Sequence, residues 1–329
     1  MKKRKILKGW LTLAFLAASV ISCSNSSSPK KPAEDETPPA EAEEPELPYK
    51  KVDTKTINGK SYDIVTFGSF PQTMKDDSVT INESETKPDE VITYYKGSDG
   101  QWYAEYEYQI NADEYHGYCK KEPIKWRILT EDYDHDNDSS TPGLKLLLAE
   151  NILDNISFYD SPDMNRTIEN TTIYPKDYKH SAIRAYLNGL TYILKTNGRP
   201  NVETEVNYFS GKGFLQMAFT ADEQKYIQRS GATEDKLFLL SQAEISTAAY
   251  GFSEDDARIK KTTDYANPNE AGQNLSNYWW LRSSSEEDTN QIDIVDLNGS
   301  LDWAEVDGDF TEQSINSYWG GVVPALCIF

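Results

Sequence analysis

Tyr278-Trp279-Trp280-Leu281-Arg282-Ser283 and Gly320-Gly321-Val322-Val323-Pro324-Ala325-Leu326-Cys327-Ile328-Phe329 decide how the chain is read. Both are bulky and apolar, as a pair of buried strands would be. Residues 284–319 between them are rich in Ser, Asp, Asn, Gly, Tyr and Trp. Loops that bind by presenting side chains on a stiff frame have this composition. The expectation is a rigid scaffold at both ends holding a tolerant surface, with residues 278–329 as its C-terminal region.

Ahead of this frame the chain changes character twice. Residues 1–22 have a basic start (Lys2, Lys3, Arg4, Lys5, Lys8), then an apolar run from Trp10 to Ile21. That run is too short to span a bilayer, which takes about twenty residues, and reads as an export signal. It ends in Val20-Ile21-Ser22-Cys23, which resembles a bacterial lipobox. Cys23 then carries the lipid, and several acyl chains on one cysteine hold firmly where one holds marginally. Residues 23–48 are mostly Ser, Pro, Glu and Ala, with Leu47 as their one sizeable apolar side chain. Such a segment cannot bury enough surface to fold, so it reads as a disordered, extended tether.

The whole chain carries a net charge of −21, and removing five positive and no negative charges with the signal takes it to −26. So acidic a protein is a poor binder of nucleic acid or anionic lipid. The expectation is contact with membrane through the lipid alone, at the outer membrane and facing the cell surface, as a monomer. Of the two cysteines left after lipidation, Cys327 reads as a small buried hydrophobe. Export permits a Cys119–Cys327 disulfide.

From residue 49 onward the chain is long enough for one large domain. Residues 61–70 alternate as a strand does before a break at Pro71. Residues 91–108 read as a hairpin turning at Gly97-Ser98-Asp99-Gly100, and 123–129 and 144–149 as strands flanking an acidic loop. Residues 177–196 have helical spacing, ending at Asn197-Gly198. Thr220-Ala221-Asp222-Glu223 and Ser241-Gln242-Ala243-Glu244 are capping-box starts of short helices, with a strand at 237–240 between them.

Six phrases in order carry a resemblance. They are Ile64-Val65-Thr66-Phe67-Gly68-Ser69-Phe70-Pro71-Gln72, Pro123-Ile124-Lys125-Trp126-Arg127-Ile128-Leu129, Ser181-Ala182-Ile183-Arg184-Ala185-Tyr186-Leu187-Asn188, Phe238-Leu239-Leu240-Ser241, residues 278–283 and Val323-Pro324-Ala325-Leu326. With the lipobox and the polar C-terminal region, the chain resembles the treponemal variable lipoproteins. These have a C-type-lectin-like fold akin to the formylglycine-generating enzymes, and a diversity-generating retroelement rewrites their C-terminal region. The resemblance implies an α+β, C-type-lectin-like domain over residues 49–329, with small mixed or antiparallel sheets and a few helices. It also implies a non-enzymatic, lipid-anchored display protein that binds protein or glycan ligands on host or bacterial surfaces.

The ligand-binding face expected on this basis comprises Ser285, Asp288, Asn290, Asp296, Asn298, Ser300, Asp302, Trp303, Asp307, Asp309, Phe310, Asn316, Ser317, Tyr318 and Trp319. Retroelement mutagenesis of Asn-type codons reaches most of these residue types. It does not reach Trp303, Glu305 or Trp319, which would be fixed residues or arise from other codons. The plainer reading is a loop-rich surface in which Asp, Ser and Asn are common.

Other constellations are weaker. The acidic loop from Asp132 to Asp138 has carboxylates at alternate positions, but Asn137 and Gly143 stand where a calcium loop needs Gly and Glu. Asn267-Pro268-Asn269 is similar to a lectin calcium loop without its partner Trp-Asn-Asp triplet. No metal or cofactor is expected. His116, His135 and His180 sit in surface-like sequence, and no catalytic residue is assigned. The alternatives are a sulfatase-modifying-type oxidase or other envelope enzyme, and a structural envelope lipoprotein.

Overall fold

The computed structural model describes residues 47–88, 91–110, 113–134, 142–159, 165–196, 202–231, 233–273, 275–284, 288–305 and 320–329. The chain divides into Met1–Pro45 and Glu46–Phe329. The first unit, with Cys23, lies outside the described residues, all of which belong to the second.

Two sheets carry the second unit. In the large one, Lys50–Ile57 turns back onto Lys60–Met74 through Asn58 and Gly59, both at positive φ as a two-residue hairpin turn requires. Lys60–Met74 runs antiparallel to Asp113–Tyr133, the longest strand. Asp113–Tyr133 also pairs with Trp102–Ile110 and with Leu144–Ala149. Tyr94–Gly97 and Ile81–Thr86 extend the sheet beyond Trp102–Ile110. The small sheet runs Leu301–Glu305, Gln291–Val295, Trp279–Ser284, Gly320–Val322, Asp154–Ile156.

Residues 320–329 belong to both sheets. Gly320–Val322 lies parallel to Trp279–Ser284 and antiparallel to Asp154–Ile156. After Val323-Pro324, Ala325–Ile328 enters the large sheet with Leu144–Ala149 on one side and Leu237–Phe238 and Ile227–Gln228 on the other. Val322, Val323 and every residue of Ala325–Ile328 are fully buried, as are Trp279 and Leu281. Gly320 is required by close approach, since an added Cβ would fall inside the Trp280 indole. The three large buried indoles each satisfy their N–H on a backbone carbonyl: Trp126 on Phe67 at 2.8 Å, Trp279 on Arg258 at 3.2 Å and Trp280 on Ile156 at 2.9 Å.

The expected α+β, C-type-lectin-like architecture is overturned. Strands make up 48% of the structure and helices 13%, several sheets are antiparallel, and no sheet among the described residues closes into a barrel. Among the described residues the large sheet alone has ten strands. The helical spacing of residues 177–196 explains part of the discrepancy. A 3-10 turn, Tyr178–His180, leads into a helix of only two turns, Ala182–Asn188, which Ser181 caps by accepting from the Arg184 N–H at 3.2 Å. Gly189, at φ 66°, ends it. Tyr192–Thr196 then leaves as a strand antiparallel to Val202–Val206. The Ser241 capping box holds as expected, with Glu244 reaching back to the Ser241 N–H at 2.6 Å. Thr220 and Glu223 make the same reciprocal bonds but start only the 3-10 turn Glu223–Lys225. Pro71 does not break its strand; Lys60–Met74 runs through it with an irregularity between Pro71 and Thr73.

Charge is also buried in the core. Glu150 accepts from Arg127 Nε at 2.9 Å and Lys55 Nζ at 2.8 Å, with Lys260 Nζ at 3.5 Å. Lys260, 2% exposed, donates to the Ala149 carbonyl at 2.6 Å. Burial alone would raise the Glu150 carboxyl, but Lys260, Arg127 and Lys55 outweigh it and hold the group well below the usual carboxylate range. Burial, with Arg127 and Lys55 adding to it, brings Lys260 down to about 7 against the pull of Glu150.

Leu326→Ala removes a side chain from the centre of the frame and should cost about 2–5 kcal/mol in denaturant unfolding; an unchanged midpoint would mean the frame does not carry the fold. Between pH 7 and pH 10 the unfolded chain holds a proton on Lys260 that the native chain has released, so this group makes stability rise with pH across that window. Melting temperatures of wild type and Lys260→Met should therefore diverge over that range, the variant lacking this part of the rise.

Candidate functional site

Beyond Ser284, which ends the strand Trp279–Ser284, residues 288–305 of the polar C-terminal region are described, and they form one hairpin. Gln291–Val295 pairs with Leu301–Glu305 in unbroken register, Ile294 opposite Asp302 and Asp293 opposite Trp303. The inner strand is tied to the core by Ile292, Ile294 and Val295, all buried, and by its pairing with Trp279–Ser284. Along the outer strand Asp302 is exposed and Trp303 is 50% exposed, and Leu297 at the tip is 58% exposed. An indole and an aliphatic side chain thus stand in solvent on a paired strand and its turn, and of the two the indole is the type enriched among the anchors of binding surfaces.

The turn is built from the residues expected to make contacts. Asp296 Oδ1 accepts from the N–H groups of Asn298 and Ser300, each at 2.8 Å. The Gly299 N–H donates to the Asp296 carbonyl at 3.0 Å. Gly299 sits at φ 87°, where an added Cβ would strike the Asp255 carbonyl. Below the turn, Arg258 donates through Nε to the Gly299 carbonyl and through Nη1 to the Phe252 carbonyl, both at 2.8 Å, and Nη2 pairs with Asp255. The other Asp255 oxygen accepts from Ser300 Oγ at 3.1 Å. Asp288 likewise accepts from the Asn290 N–H at 2.8 Å.

The fifteen expected face residues therefore separate. Asn298, Asp302 and Trp303 are exposed on the hairpin, with Asn298 Nδ2 donating to Asp296 at 3.4 Å and Asp302 Oδ1 accepting from the Trp303 N–H at 2.8 Å. Asp288, Asp296 and Ser300 spend their side chains on turn structure, and Asn290 is half-buried beside one of those turns. Ser285, Asp307, Asp309, Phe310, Asn316, Ser317, Tyr318 and Trp319 lie outside the described residues. Arg258 and Asp255, which brace the turn, are the residues that sequence reasoning missed. The run Asp296-Leu297-Asn298-Gly299 was a turn signal open to reading, but nothing local pairs it with residue 258.

The remaining constellations also have places. Cys119 and Cys327 are buried and unpaired thiols on strands separated by Leu144–Ala149. Burial pushes both thiols up, that of Cys327 to about 12. His116 lies 3.4 Å from Glu105 and His180 Nδ1 lies 3.3 Å from Asp177, while His135 is outside the described residues, as is most of the acidic loop. Asn267-Pro268-Asn269 enters a 3-10 turn, Pro268–Glu270. Asp154 is half-buried, and burial raises its carboxyl to about 6 against hydrogen bonds from the Tyr186 hydroxyl and the Asn155 N–H. Its oxygens join helix to sheet. Among the described residues no group of three or more His, Cys, Asp or Glu side chains is placed to hold a metal.

If the turn is structural and the outer strand tolerant, substitutions will divide accordingly. Arg258→Met strands the carbonyls of Gly299 and Phe252 and should cost about 1–3 kcal/mol or more. Asp302→Asn with Trp303→Ser should stay within about 0.5 kcal/mol of wild type. Chemical denaturation of the two variants side by side checks the division, and equal losses would contradict it.

Comparison of the chain with curated proteins and with solved structures finds no match. One family model matches residues 142–329, more than half of the chain, and its description is a domain of unknown function. The matched stretch holds the hairpin, its brace and both halves of the buried frame, but the large sheet continues across the boundary into Asp113–Tyr133 and Lys60–Met74. By that match the chain belongs to the DUF6273 family.

Proposed function

We propose that the chain is a lipid-anchored envelope protein that binds ligands through the outer strand and tip of its C-terminal hairpin, with no catalytic step. Cys23 carries the anchor, residues 24–48 hold the domain away from the bilayer, and the exposed hairpin meets protein or glycan partners. The observation that carries the reading is the separation of roles within residues 288–305. Trp303, Asp302 and Asn298 face solvent while the turn and the inner strand are fixed by Arg258, Asp255 and the core. A surface built this way can change its exposed residues at little cost to folding, which a diversified display protein needs. The resemblance to variable lipoproteins supports the same reading through its lipobox and polar C-terminal region, not through a shared fold.

Two experiments test it. Cys23→Ser should move the protein from the detergent phase to the aqueous phase in partitioning, and equal partitioning would remove the anchor. Asp302→Tyr with Trp303→Ser should leave the melt close to wild type while changing which components are retained from an array of bacterial and host surface proteins and glycans. Loss of a contact anchor weakens binding by about 2 kcal/mol or more, about thirtyfold. An unchanged retention pattern would place the binding face elsewhere.

A further inference from the structure

A cleft of about 290 Å³ opens on a different part of the domain. Its walls are the 3-10 turn Tyr178–His180 with the helix Ala182–Asn188, and two small hairpins, Arg166–Ile168 with Thr171–Ile173 and Tyr192–Thr196 with Val202–Val206. The apolar lining includes Ile168, Leu190 and Ile193, each half-buried, beside the buried Ala185 and Tyr192. Arg184 also lines the cleft but is already committed. It pairs bidentately with Asp235 at 2.7 and 2.8 Å and donates to the Lys179 carbonyl at 2.8 Å, so it stiffens the wall. His180 likewise has Asp177 beside Nδ1.

Among the described residues two charged side chains of the lining have no ion-pair partner. Among the described residues neither Lys179 nor Glu205 makes an ion pair, and they do not pair with each other. Among the described residues the cleft therefore offers one cation and one anion without an ion-pair partner, beside an aliphatic surface. We propose that it binds a small apolar zwitterion, a free α-amino acid with an aliphatic side chain. Lys179 takes the carboxylate, Glu205 takes the ammonium, and Ile168, Leu190 and Ile193 receive the side chain. The volume stands near the lower end of ligand pockets, about 300–1,000 Å³, which suits so small a ligand. Charge argues the same way. A chain of net charge −21 repels a free anion but not a neutral zwitterion.

The probe is L-leucine, titrated calorimetrically into the purified full-length protein in detergent. Saturable one-site binding is expected. It should weaken by about tenfold or more with 4-methylpentanoate, which lacks the ammonium, and with 3-methylbutylamine, which lacks the carboxylate. Lys179→Ala and Glu205→Ala should weaken leucine by a similar factor and Lys179→Arg should retain it; both positions are exposed, so the melts should be unchanged. Leu190→Trp should block the cleft. The Asp302 and Trp303 double variant should bind leucine as wild type does, which keeps this site's result separate from that of the hairpin. No saturable heat up to about 10 mM leucine, analogues that bind as well as leucine, or Lys179 and Glu205 variants that bind like wild type would each overturn the assignment.

Discussion

The pairing of Ala325–Ile328 with Leu144–Ala149 is the contact on which the rest depends. Each of those residues except Lys145 is buried, so every backbone N–H and C=O there must find a partner inside the protein. Leu144–Ala149 has Asp113–Tyr133 on its far side, and Ala325–Ile328 has Leu237–Phe238 and Ile227–Gln228 on its own. Removing the central strand would leave two buried edges facing each other. The step just before it, at Gly320–Val322, ties the second sheet to the same stretch of chain. One short segment thus fixes both sheets, and the hairpin inherits its rigidity from them.

That arrangement explains how an exposed surface and an unforgiving core lie so close in sequence. Gln291–Val295 faces the core on one side of its hairpin partner, and Leu301–Glu305 is the outermost strand of the small sheet. Arg258 and Asp255 hold the turn from a separate part of the chain. What the outer strand displays is therefore decoupled from what keeps it in place. At the end of Leu144–Ala149 the Glu150 carboxylate likewise gathers Lys55, Arg127 and Lys260 from three separate segments of the chain.

The apolar ends of the C-terminal region were legible because a buried strand needs little more than consecutive bulky side chains. Trp279, Trp280, Leu281 and residues 322–328 satisfy that with no context. Ser241 with Glu244 was legible for a similar reason, since a capping box is closed within four residues. Residues 177–196 misled because helical spacing says nothing of where a helix stops, and Gly189 stopped it early. The fold class misled more deeply. Short phrases such as those around Trp126 or Val323 record local packing, whereas strand order is set by partners far apart in the chain. Asp296 and Ser300 stand in the expected face because their residue types suit a diversified C-terminal region. Asp and Ser serve turns and ligands equally well, and only the Asp255–Arg258 brace tells the two uses apart.

Leu147 and Leu326 face each other although they stand about 180 residues apart, 147 against 326. Closing so long a loop costs entropy before any contact rewards it, so the central pairing is intrinsically slow to form. Until it forms, Leu144-Lys145-Leu146-Leu147-Leu148-Ala149 presents an apolar strand edge that other chains can join. The same join that makes the finished domain rigid gives the folding chain a window of vulnerability to aggregation.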